Sequence, residues 1–208
     1  MLTEDFWTLS GPGIVQTRVL GSRFSARAFP LDEDLSIESA LEEIRKLYYD
    51  ATHHCWALSW RDHDELTERH SDGGEPKGTA GLPILLELRK HNLQNCAVIV
   101  TRWFGGTKLG TGGLVRAYGE CAGQALDTAP RVLRKTGVTV DVVVDFDSQS
   151  IVYQLATKFF AVVEANPSAE MTRLSVKVRR KQVDSFLAAL REQSAGKLQG
   201  KIGVPWIS

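Results

Sequence analysis

The sequence predicts an α+β protein in two domains. Three observations carry that prediction. Apolar runs of strand length alternate with stretches whose apolar residues recur every three or four positions, the mark of helices with one buried face. The pattern breaks at residues 130–137, a short basic connector that divides the chain into 1–133 and 134–208. The 208 residues are 43% hydrophobic and 24% charged, which is enough apolar material for a substantial core.

The elements follow in order. Residues 15–20 and 22–29 read as two strands around Gly21, a hairpin. Ser36 is placed to cap a helix running to about Asp50, with Ile37, Leu41, Ile44, Leu47 and Tyr48 on one face. Residues 53–60 read as a strand. Residues 61–79 are polar and glycine-rich and read as a loop, with Asp72, Gly73, Gly74 and Pro76 as turn formers. Thr79 is a candidate cap for a second helix, with Pro83 in its first turn and Leu85, Leu86 and Leu88 inside. Residues 96–104 are an apolar run of strand length, expected to be central and buried. A glycine-rich loop, 105–113, leads into a helix from about Gly112 to Thr128. Beyond the connector come a strand (138–144), a helix (148–161) and a strand (162–165). A turn at Asn166-Pro167, a strand (171–178), a helix (181–193) and a short strand (198–202) complete the chain. That βαββαβ order is the ferredoxin-like pattern.

The 25 basic and 25 acidic side chains cancel to a net charge of zero. The cancellation is uneven: residues 1–101 hold 10 basic and 16 acidic side chains, and residues 102–208 hold 15 and 9. A basic half can steer towards phosphate backbones, or it can be a solvated face. No apolar run approaches the roughly 18 residues of a membrane span, so no membrane role is expected. The acidic start predicts no signal peptide. Three scattered cysteines make no disulfide framework, and a reducing cytoplasm is the expected location.

The most informative segment runs from Arg102-Trp103-Phe104 through Gly105, Gly106, Gly110, Gly112 and Gly113 into a helix. Glycines admit positive φ and close backbone approach, and a helix N-terminus attracts anions. Lys108 and Arg116 add full charges. Two readings stand: a phosphate site, or a tight strand-to-helix turn. Named nucleotide motifs fit poorly. There is no Gly-Lys-Thr of a phosphate loop, and the third glycine of a dinucleotide fingerprint is Val115.

His53 and Cys55 share one strand face, and His54 and Trp56 the other; one face is expected to pack inside and the other to line a groove, which makes His53 and His54 cleft candidates. Two ligands fall short of the three or four that zinc needs, and His63 and His70 show no ligand spacing to complete a set. No metal or other cofactor is expected, and Cys55 reads as a packed thiol rather than a nucleophile. Asp72, Glu75 and Lys77 sit in the 61–79 loop, as a solvated turn or as acid–base groups. They share a cleft with the glycine-rich loop only if the two fold together. Arg173, Lys177 and Arg179 recur at strand spacing, with Leu174, Val176 and Val178 turned the other way. That face offers no aromatic residue for base stacking, so contact with an RNA backbone is expected rather than base readout.

These blocks resemble the signature of the Impact/YigZ family of uncharacterised and translation-linked proteins. The resemblance runs through His53-His54-Cys55-Trp56-Ala57, Ser71-Asp72-Gly73-Gly74-Glu75-Pro76-Lys77-Gly78-Thr79-Ala80-Gly81 and Val98-Ile99-Val100-Thr101-Arg102-Trp103-Phe104-Gly105-Gly106. It covers about residues 15–125, and the remainder resembles the family's C-terminal domain through element order. Two departures stand out: Gly73 where relatives often carry a second Asp, and Trp103 where they often carry Tyr. The resemblance implies an N-terminal domain like domain IV of elongation factor G and a C-terminal domain like its domain V. It also implies a link to translation: eukaryotic members restrain a kinase that senses uncharged tRNA. They do so by competing for a ribosome-associated activator, and they carry an additional protein-binding domain that is not expected here.

The sequence therefore reads as a translation-linked binding module rather than an enzyme. Arg102, Lys108, Arg116, Arg173, Lys177 and Arg179 are the expected contacts to RNA or the ribosome. Two alternatives remain. One is an enzyme that takes a phosphorylated small molecule or nucleotide at Gly110–Gly113, with Asp72 or Glu75 supplying chemistry. The other is a protein-binding module without nucleic acid.

Overall fold

The computed structural model describes residues 5–32, 36–62, 65–167 and 171–207. His63 lies outside them. The chain divides into two compact units, Phe6–Leu133 and Arg134–Ser208, the second of which also takes in Asp5.

The first unit is built on a five-stranded antiparallel sheet. In chain order its elements are β1 (Phe6–Leu9), β2 (Gly13–Val19), β3 (Ser22–Pro30), α1 (Ile37–Leu47), β4 (His53–Asp62) and β5 (Glu65–Ser71). Then come α2 (Gly81–Lys90), β6 (Cys96–Trp103), α3 (Gly110–Thr128) and β7 (Arg131–Arg134). The strand order is β2-β3-β6-β4-β5, so the apolar run of β6 is the central strand, and β1 pairs with β7 apart from that sheet. The β2–β3 hairpin turns at Leu20 and Gly21, both at positive φ. Helices α2 and α3 cover one face, where Phe24, Cys55, Val98, Leu88, Tyr118 and Leu126 form the main core. Helix α1 covers the other with Ile37, Leu41 and Ile44 against Phe29, Leu58 and Ile99. Ser36 caps α1, its Oγ accepting from the Ser39 N–H at 3.2 Å.

The polar segment 61–79 is not all loop, because Glu65–Ser71 forms β5 on the sheet edge. An edge strand faces little apolar surface, so its charged residues lack the alternation that marks a strand. Residues 131–134 of the connector likewise form β7.

The second unit runs β8 (Thr136–Val144), α4 (Gln149–Lys158), β9 (Val162–Pro167), β10 (Thr172–Arg179), a 3₁₀ turn, α5 (Val183–Gln193) and β11 (Gly200–Ile207). Its antiparallel sheet has the order β11-β8-β10-β9. Val140, Val142, Leu174 and Val176 pack against Leu155 and Phe186 of the helices. Asn166 and Pro167 do not form the expected turn; they continue β9, with Pro167 opposite Thr172. Pro167 is the last residue of the edge strand, a place where a missing N–H disrupts little. The last strand extends to Ile207, past Pro205, through a register shift between Ile202 and Pro205.

Candidate functional site

Three neighbouring strands of the first unit set the floor of the site. The antiparallel register places Phe24 and His53 directly opposite Arg102, on the face that α2 and α3 cover. Arg102 is 5% exposed and is held by charge. Its Nη1 donates to Glu75 Oε1 at 2.7 Å and its Nη2 to Ser22 Oγ at 3.2 Å. Tyr118 OH from α3 donates to the same Glu75 oxygen at 2.8 Å, and His53 Nε2 stands 3.9 Å from it. Burial of a carboxylate is tolerable only with such partners. Glu75 belongs to the 72–80 loop, so the loop and the strand are locked by an ion pair under cover.

Asp72 fixes the loop from the other end. Its carboxylate accepts from the backbone N–H groups of Gly78 (2.8 Å), Ala80 (3.0 Å) and Gly81 (2.8 Å). Burial works to raise its pKa, but the N–H groups of Gly78, Gly81 and Ala80 together hold it below the ordinary carboxylate value. Asp72 therefore caps α2 from nine residues upstream of Gly81. Thr79, the expected cap, turns its hydroxyl to the Pro76 carbonyl instead, at 2.6 Å. The backbone folds tightly here: a Cβ on Gly73 would lie 2.2 Å from the His54 carbonyl oxygen, and Gly73 has φ +55°. A side chain at that position would crowd the β4 backbone.

The cysteine is packed, not poised. Cys55 is fully buried and donates its thiol to the Asp72 carbonyl at 2.9 Å. Burial pushes its pKa up to about 12, so it is protonated at neutral pH. Burial likewise raises Tyr118. His54 turns to the α1 side of the sheet, its Nδ1 3.1 Å from Thr101 Oγ1, and burial followed by the charges of Arg45 and His53 lowers its pKa. His53 stays with the loop, its Nδ1 3.0 Å from the Gly73 carbonyl oxygen.

The glycine-rich loop divides into three kinds of glycine. A Cβ on Gly105 would meet Gly21 at 2.0 Å, so that glycine permits close packing on the β2–β3 turn. Gly106 (φ +86°) and Gly110 (φ +70°) satisfy the turn. Gly112 satisfies neither need: it is helical, exposed, and nothing lies within 4 Å of the Cβ it lacks. Helix α3 begins two residues earlier than expected and carries no side-chain cap at Leu109. Its first N–H groups carry no side-chain cap; Lys108, two residues before the helix, and Arg116, in its second turn, are exposed.

The two loops do fold together. An open cavity of about 330 Å³ lies between them. Glu75 and Arg102 line its base, Pro76 and Phe104 its sides, and Lys108 and Thr111 its rim. Lys77 is exposed and stands outside that lining. The cavity joins both signs of charge, a low-dielectric floor and the positive end of a helix.

The second unit holds a separate basic face. Leu174, Val176 and Val178 are buried, as the alternation predicts. On the outer face Lys177 is ion-paired to Glu164 at 2.7 Å, and Arg179 to Asp5 at 2.5 and 2.7 Å. Arg173 instead lines a broad concavity of about 820 Å³ with Lys197, Lys201 and Asp141. Lys197 and Lys201 come from the turn before β11 and from β11 itself, and strand spacing on β10 alone gave no sign of them.

Comparison with known proteins places this architecture. Residues 20–126 match the Impact N-terminal domain family. The chain is 30% identical to the IMPACT family member YvyE of Bacillus subtilis over 203 residues, covering 97% of this chain and 93% of that protein. It is 34% identical over 157 residues to an IMPACT family member of Haemophilus influenzae, covering 75% of this chain and 76% of the relative. YigZ of Escherichia coli is 37% identical over 125 residues, which span 59% of this chain and 61% of that protein. A crystal structure described as a hypothetical protein superposes with a TM-score of 0.67 at 28% identity, covering 98% of each chain.

Proposed function

This chain belongs to the Impact family, and we propose that within it the chain is a translation-linked binding module for RNA, free or in the ribosome. The observation that carries this reading is Gly112. A glycine in a helix costs about 1 kcal/mol relative to alanine, and no atom of the described residues calls for one there. A ligand that approaches the backbone closely does call for one. The uncapped N–H groups of α3 and the exposed Lys108 and Arg116 support a phosphate as that ligand. Arg102 acts from beneath, by holding Glu75 and the 72–80 loop, rather than by touching phosphate. Arg173, with Lys197 and Lys201, adds a second phosphate-binding face.

Two finer assignments go with the reading. The first unit takes the fold of domain IV of elongation factor G. The second is ferredoxin-like, supported by its antiparallel order β11-β8-β10-β9 with two helices on one side. A working place in the cytoplasm follows from a role in translation and suits three free, buried cysteines. No described helix is long and apolar enough to cross a membrane.

A filter-binding titration with single-stranded RNA tests the proposal. Affinity falls steeply as salt rises, and Lys108→Ala lowers it at any fixed salt. RNA binding that is absent, or indifferent to salt, contradicts it. The cavity favours one second reading, a small phosphorylated ligand bound without RNA. A thermal-shift screen with nucleotides and sugar phosphates separates the two, since a ligand that binds only the folded chain raises its melting temperature.

A further inference from the structure

We propose that the cavity between the two loops is a pocket for a single guanine nucleotide, splayed out of an RNA strand. The inference rests on the RNA-binding reading and supplies what a phosphate contact alone lacks, a means of recognising a base.

Glu75 is the first observation. Its side chain is 4% exposed, and all three of its close polar neighbours, Arg102, Tyr118 and His53, gather at Oε1. Among the described residues no group hydrogen-bonds Oε2, while Glu75 lines the cavity. That oxygen is an open acceptor beside the cavity, available to a donor from outside the chain. A carboxylate there repels a phosphate, so the group that reaches the floor is a different part of the ligand.

Phe104 is the second. It is 48% exposed on the side of the cavity, with its ring 5.6 Å from the Arg102 guanidinium carbon and its backbone N–H held by Thr52 Oγ1 at 3.0 Å. An anchored, exposed aromatic beside a polar floor is how proteins stack an unpaired base. The rim completes the match. Lys108 and the N-terminal turn of α3 stand where the phosphate of the same nucleotide lies once its base is inside.

The floor selects among bases. Guanine alone presents two adjacent donors, N1–H and the N2 amino group, on its pairing edge. Adenine and cytosine set an acceptor nitrogen beside their amino group, and uracil sets carbonyls on both sides of its N–H. Guanine meets the open oxygen with two donors and sets no acceptor beside them, whereas each of the other three brings an acceptor next to its donor, so the floor favours guanine.

The test compares short single-stranded RNAs of uridines with and without one central guanosine, on the full chain, with GMP as a competitor. Expected is about tenfold tighter binding of the guanosine RNA, the scale of one stacked base. That preference disappears in Phe104→Ala, which keeps both partners of the buried ion pair, and in Glu75→Gln. If Glu75→Gln does not fold, Phe104→Ala decides. Salt-sensitive RNA binding with no guanosine preference, or with a preference that survives Phe104→Ala, overturns the pocket and leaves the RNA reading standing. GMP binding abolished by Phe104→Ala, in a chain that binds no RNA, supports the pocket and assigns it to the free nucleotide. Binding of neither overturns both.

Discussion

Asp72 shows how one side chain can organise a site it does not touch. Its carboxylate replaces a local cap for α2, and its depressed pKa turns that role into a pH dependence. A carboxyl whose folded pKa lies below its unfolded value near 3.9 contributes stability above that value. The contribution is lost as pH falls through the folded value. Asp72→Ala is therefore expected to cost about 0.5–2 kcal/mol at neutral pH, the range for a lost helix cap. It is also expected to flatten the acid limb of a stability–pH profile, followed by urea denaturation. The thiols give a second expectation at this scale. Cys55, Cys96 and Cys121 are all buried, and burial pushes Cys55 and Cys96 to about 12. A thiol reagent at neutral pH is expected to label the native chain slowly and all three sites at once on unfolding. Rapid labelling of Cys55 in the native state contradicts the packing. The sequence made Cys55 legible as a packed thiol, because a cysteine inside a strand packs as a small hydrophobe. It did not make the Asp72 cap legible, because a cap supplied from another loop leaves no mark in local spacing.

At the scale of elements, the glycine-rich loop separates packing from function glycine by glycine. Gly112→Ala is expected to raise stability by up to about 1 kcal/mol, since alanine suits a helix and finds open space. The same change is expected to weaken RNA binding. Thermal unfolding and filter binding on one sample check both signs. Gly105→Ala is expected to destabilise instead, because its Cβ would overlap the Gly21 backbone. The strands and helices with strong periodicity were readable from sequence, β6 and α1 most plainly. Strand β5 was not, because an exposed edge strand shows charges where a buried one shows alternation. The fold of the 72–80 loop onto the 104–114 segment leaves no mark in local sequence, since it rests on the Glu75–Arg102 pair, two residues 27 positions apart.

Over the whole molecule, the balanced charge conceals a basic second half, but not every cation in it is displayed. Arg102 is buried against Glu75, and Lys177 and Arg179 are ion-paired on their sheet face. Charge counting and strand spacing could not see those partners, which come from other elements. Arg173→Ala is accordingly expected to weaken RNA binding more than Lys177→Ala. The central claim is that phosphates dock at the α3 N-terminus, and counterion release reads it directly. Each phosphate contact to a single strand contributes about 0.7 to the slope of log affinity against log salt. The measurement is that slope for the full chain and for the Lys108→Ala, Arg116→Ala double variant. The account predicts a slope shallower by about 1.4 in the variant; equal slopes, or no salt dependence in either protein, would contradict it.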